Sequence, residues 1–241
     1  KASTELANGL TVAADFNITH DGTTSNDGNS IDISGPFGKL GLGDNAGAVD
    51  GVDTALDYTR TVQAFTNDDA VMGGGDAGVR WDLPVLVEGL SIAITASAKN
   101  DNPGNAVNDT NGGSIKYTAG PVTVASARED IGSATEVSGV AGNLVFGGIQ
   151  LAAETWTSTT AAVDTDMAAI GGSYTMGDVK IAYRASKTDS ANVDLSDIRT
   201  IVLNYSLGSG VTLFAESATE KVVANTNNTE SETAFGVEYK F

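Results

Sequence analysis

The sequence predicts an all-β protein, an antiparallel transmembrane β-barrel of about fifteen strands. Three observations point there. Apolar and polar residues alternate at period two from one end of the chain to the other, with no long helical period. Short Gly-containing turns alternate with long polar connections. No apolar run approaches the roughly 18 residues that a membrane helix needs.

The alternation is clearest in three segments. Leu10, Val12, Ala14, Phe16 and Ile18 share one face, and Thr11, Ala13, Asp15 and Asn17 the other. Leu90, Ile92, Ile94, Ala96 and Ala98 alternate with Ser91, Ala93, Thr95, Ser97 and Lys99. Val179, Ile181, Tyr183 and Ala185 alternate with Lys180, Ala182, Arg184 and Ser186. A soluble β-sandwich has the same pattern, so alternation alone does not decide between the two.

The connections discriminate better. Short ones fall at Ala7–Gly9, Gly35–Gly38, Ala119–Pro121, Phe146–Gly148, Met176–Asp178 and Gly208–Gly210. Long polar ones fall at 20–29, 44–76, 100–112, 158–165, 188–196 and 222–230. Membrane barrels have short turns on one rim and long loops on the other. The strands are expected at 1–7, 10–19, 29–35, 38–43, 77–84, 89–99, 112–119, 121–130, 135–146, 148–158, 165–176, 178–188, 196–207, 210–221 and 231–241. The 83–90 connection is apolar and fits the scheme least. Single-chain bacterial barrels have an even number of strands. Parity therefore predicts one more strand before Lys1, lost or outside the numbered chain; the alternative is a miscount in 131–147.

Composition narrows the function. With 31 acidic and 13 basic residues the net charge is -18. Phosphate binding needs clustered Lys and Arg, so nucleic acid is not an expected partner. The acidity fits a cation-attracting pore, or solubility in a salty medium. The absence of cysteine removes thiolate catalysis, thiolate metal sites and disulfides. The chain opens on KASTELANGL without a signal peptide, as a mature exported protein would, and as a cytosolic one would too.

Two segments resemble known families. Val237, Tyr239 and Phe241 alternate with Gly236, Glu238 and Lys240 at the chain's end. This is similar to the C-terminal strand signal of outer-membrane barrels. Residues 31–44, IDISGPFGKLGLGD, resemble the strand–turn–strand of alphaproteobacterial general diffusion porins, through Ser34, Gly35, Phe37, Gly38, Gly43 and Asp44. The upstream stretch from Thr4 to Phe16 looks like the second and third strands of those porins. The resemblance covers about the first sixth of the chain and its end. It implies a bacterial outer-membrane location, sixteen strands, a homotrimer, and a third loop folded into the pore. It also implies a first strand ahead of the segment matching residues 1–7.

On that reading, loop 44–76 would carry the constriction through Asp44, Asp50, Asp53, Asp57, Asp68, Asp69 and Asp76, with Arg60 its only base. Charge rings of this kind select ions by sign. Otherwise the loop is a solvated external one. Arg80, Lys116, Lys180 and Arg184 fall on the polar parity and would line the pore wall. Arg128 breaks the pattern by sharing parity with Val122 and Val124; a bulge or a rim position would accommodate it. Trp81, Tyr117, Tyr183, Tyr205, Phe235, Tyr239 and Phe241 fall on the apolar parity and would form interfacial girdles.

No cofactor is expected. Clustered Asp and Asn at Asn26–Asn29 and Asn100–Gly104 suggest Ca²⁺ in external loops, though both suit turns. An enzyme is poorly supplied, since His20 is the only histidine and no hydrolase or phosphate-loop motif is present. The stronger rival is a secreted or cell-surface all-β binding protein, a surface-layer protein or a β-sandwich that binds sugar or calcium. Its apolar parity would fill a dry core.

Overall fold

The computed structural model describes residues 2–16, 19–20, 24–25, 29–52, 77–97, 109–132, 134–191, 193–222 and 228–240. Fifteen antiparallel strands form one sheet, the number read from the sequence. In order these are β1 (Ala2–Glu5), β2 (Thr11–Asp15), β5 (Ser30–Gly35), β6 (Gly38–Asn45), β7 (Ala77–Asp82), β8 (Leu90–Ser97), β9 (Thr110–Ala119) and β10 (Val122–Ile131). They continue as β11 (Thr135–Phe146), β12 (Ile149–Thr160), β13 (Val163–Met176), β14 (Val179–Ser190), β15 (Val193–Gly208), β16 (Val211–Val222) and β17 (Asn228–Tyr239). Each strand pairs with its neighbour in sequence, the order an up-and-down meander requires. A separate two-stranded hairpin, β3 (Thr19–His20) and β4 (Thr24–Ser25), lies within the connection from β2 to β5.

The chain divides into two compact units. The first holds β1 to β9 with most of β10 and the start of β11; the second holds the rest of β11 and β12 to β17.

In the second unit the two faces are inverted relative to a soluble protein. The parity of Ile181, Tyr183, Ile201, Leu203, Phe235 and Val237 is exposed, with Phe235 at 84%. The opposite parity is buried and carries Glu154, Arg184 and Glu216 beside Trp156, Met167 and Val202. Register confirms one face: Trp156 opposes Met167, Arg184 opposes Thr200, and Val202 opposes Glu216. A dry sandwich core would bury the apolar parity and expose the charged one. The structure does the reverse, which removes the sandwich reading.

Two expected loops contract. The 158–165 connection is a two-residue turn: Thr160 pairs with Val163, and Ala161 and Ala162 take φ of 51° and 66°. Successive left-handed residues match the right-handed strand twist, as in a type I′ turn. The 188–196 connection tightens likewise, with Ser190 paired to Val193 and Ala191 at φ 49°. Neither has the Asn-Gly or Gly-Gly signature, so polarity was misread as length. The 83–89 segment is a seven-residue link between β7 and β8 that exposes Val85, Leu86 and Val87.

Candidate functional site

The site is built where β6 ends. Its register with β7 shifts between Leu42 and Asn45, and the last pair is Asn45 with Ala77. From Ala46 the chain crosses the polar face of β7 to β9. Ala48, Val49 and Val52 are buried there. Gly112 on β9 permits the approach, because a methyl group on it would lie 2.9 Å from the Ala48 Cβ. A single 3₁₀ turn, Asp50–Val52, ends this stretch, with Val52 N–H donating to Val49 O at 3.0 Å.

Two wall bases hold the crossing chain. Arg80 Nη1 donates to the carbonyls of Ala46 at 3.1 Å and Gly47 at 3.2 Å. Lys116 Nζ reaches the Gly51 carbonyl at 3.5 Å. Beside them is a cavity of about 330 Å³, lined by Gly51, Val52, Arg80, Asp82, Ser114 and Lys116 among others.

Arg80 is itself oriented. Its Nε donates to Asp82 Oδ1 at 2.9 Å. Asp82 Oδ2 lies 3.6 Å from Lys39 Nζ, which stands 3.6 Å from Asp32. The register explains this row: Asp32 opposes Gly41, Gly41 opposes Arg80, and Lys39 opposes both Ser34 and Asp82. Four charged side chains of alternating sign therefore occupy one face of three adjacent strands. Asp32, Lys39 and Asp82 were absent from the sequence-derived site. Parity places them on the wall, but only register makes them neighbours.

The expected site residues distribute as follows. Asp44 is exposed at the end of β6, and Asp50 opens the 3₁₀ turn. Asp53, Asp57, Asp68, Asp69, Asp76 and Arg60 lie outside the described residues, as do Asn26, Phe241 and residues 100–104. Arg80 and Lys116 lie against the loop's first turn. Lys180 and Arg184 lie on the polar parity of β14, and Arg184 is buried. Among the described residues no group of three or more His, Asp or Glu is placed to hold a metal ion. Sequence reading also missed the wall's own carboxylates, Glu129, Glu154 and Glu216, all buried on the polar face.

The described aromatic residues expected in the girdles lie on the exposed parity. Trp81, Tyr117, Tyr183, Tyr205, Phe235 and Tyr239 are all exposed. Tyr117 and Tyr205 each stand three residues before a short-turn glycine, Gly120 and Gly208, and Tyr239 ends β17. Tyr183 and Phe235 stand nearer mid-strand. The Trp81 indole donates to Phe37 O at 2.9 Å. Arg128 is exposed on the apolar parity, three residues from the end of β10, and pairs with Glu136 at 2.8 Å and Asp130 at 3.4 Å. Its rim position accounts for the charge.

A family model described as Gram-negative porin matches residues 1–241. No curated protein sequence matches the chain. Among solved structures, the chain is similar to Salmonella typhi OmpF in complex with daunomycin, with a TM-score of 0.78, 15% identity, and 100% and 88% of the two chains covered. It is similar to a porin refined at 1.8 Å, with a TM-score of 0.74, 19% identity, and 99% and 90% covered. The anion-selective porin from Comamonas acidovorans follows, with a TM-score of 0.73, 16% identity, and 98% and 85% covered. At these identities the likeness is one of fold.

Proposed function

The chain belongs to the Gram-negative porin family, and on that premise we propose that it is a passive outer-membrane channel for small hydrophilic solutes that favours cations. The family is one of bacterial outer-membrane diffusion channels, not of enzymes. An anion-selective porin shares the fold, so the sign preference must come from side chains.

One observation carries the cation reading, the charge balance of the polar face. From β10 to the residue after β17 that parity presents Glu129, Glu154, Glu216, Glu220, Glu230, Glu232 and Glu238, against Lys180, Arg184 and Lys240 as described bases. The loop adds Asp44, Asp50, Asp53, Asp57, Asp68, Asp69 and Asp76. Carboxylates in a narrow path with low-dielectric walls raise the local cation concentration. Loop 44–76 is the constriction in this reading, supported by the inward course of residues 46–52. The exposed apolar parity faces outer-membrane lipid, with Trp81, Tyr117, Tyr205 and Tyr239 toward one interface. Assembly as a homotrimer completes the reading.

The test is the reversal potential across a planar bilayer under a KCl gradient. Replacing Asp50, Asp53 and Asp57 together by Asn should lower the cation-to-anion permeability ratio. An unchanged ratio contradicts the loop's role in selectivity.

A further inference from the structure

A strand that leaves its sheet strands its carbonyls. The β6–β7 ladder ends at Asn45 and Ala77, so the carbonyls of Ala46 and Gly47 need donor partners from elsewhere. Arg80 supplies them, with one guanidinium nitrogen serving both. The same guanidinium is held through Nε by Asp82, which Lys39 approaches from its other oxygen. Gly51 leaves space for it, since a methyl group there would stand 3.1 Å from both terminal nitrogens. The Arg80 side chain is only 17% exposed.

We infer that Arg80 is a positioning residue, a latch that fixes the first limb of the loop to the wall, with Asp82 and Lys39 holding the latch in register. A base that sets the field of a pore must face the water path. Arg80 faces two backbone carbonyls and a carboxylate, and its charge is largely answered within the wall. It decides where the loop stands rather than which ions pass. Lysine cannot replace it, because an ammonium lacks the planar fork that meets Asp82 with one nitrogen and the loop with another.

The inference rests on the loop being the constriction, and the two are separable by measurement. Loop charge is read in the reversal potential, and latch function in the steadiness of the open current. Single-channel recordings of Arg80→Lys, Arg80→Ala and Asp82→Asn should all lose the single quiet open level and show excess open-channel noise. Arg80→Lys should resemble Arg80→Ala despite keeping its charge, and its reversal potential should stay near the unmodified value. If Arg80 is a field charge instead, Arg80→Lys is quiet, and Arg80→Ala is quiet but more cation-selective. That outcome overturns the latch. Should Arg80→Ala fail to fold, Arg80→Lys and Asp82→Asn carry the same test: quiet currents from both overturn it. Noise in both, with no selectivity change in the Asp-to-Asn loop variant, would keep the latch while rejecting the acidic filter.

Discussion

At Gly38 the backbone takes φ of 96°, and a Cβ there would strike the carbonyl oxygen of Asp82. Conformation and close approach thus both demand glycine. The neighbouring Phe37 carbonyl receives the Trp81 indole, so the turn between β5 and β6 is tied to the end of β7, beside the carboxylate that orients Arg80. Gly38→Ala should lower stability by more than about 1 kcal/mol, from left-handed strain and the forced displacement of β7. The urea midpoint of the protein in detergent measures it; an unchanged midpoint would mean that the turn relaxes freely. The turn motif was legible in sequence as Ser34, Gly35, Phe37 and Gly38. Its reason was not, because Asp82 is remote in sequence. Arg80 is similar: alternation put it on the wall, but its partners are carbonyls of Ala46 and Gly47, which leave no mark in side-chain chemistry.

The strands follow from their alternation alone, and their lengths from the turns. Two faces of one strand should therefore respond differently to charge. Ile201 is exposed at the middle of β15. Ile201→Lys should cost roughly 2–4 kcal/mol if that face meets hydrocarbon. Thr212→Lys on the polar parity opposes Glu238 and should be close to neutral. Equal costs for both, measured as urea midpoints of folding into liposomes, would contradict the facial assignment. The tight turn after β12 offers a gain. Ala161→Asn with Ala162→Gly places the residues that tolerate positive φ where the chain already has it, and should stabilise by about 0.5–1 kcal/mol. A lower midpoint would show that the turn is set by its strands and not by its own residues. These tight turns escaped sequence reading because Thr160-Ala-Ala-Val163 carries no glycine. The strands run on through residues that look polar enough for loops, such as Thr157, Thr159, Asp164 and Asp166. Cross-strand hydrogen bonds from Thr157 to Asp166 and from Thr159 to Asp164, each 2.7 Å, explain their place in the ladder.

On the scale of the molecule, mean hydropathy is -0.05 because apolar and polar faces cancel. The fold was legible because that cancellation is orderly along nearly the whole chain. The site was legible only as a parity and a long acidic loop. Its anchoring depends on register between strands, which no single-sequence pattern encodes. The excess of carboxylates, -18 net, becomes a functional statement once polar parity is equated with the water path. The most direct test is a planar-bilayer recording of the purified protein under a salt gradient. Stepwise openings of uniform size, with a reversal potential of cation-selective sign, are the predicted result. Folded protein that inserts without conductance, or conducts with an anion-selective reversal potential, would contradict the account.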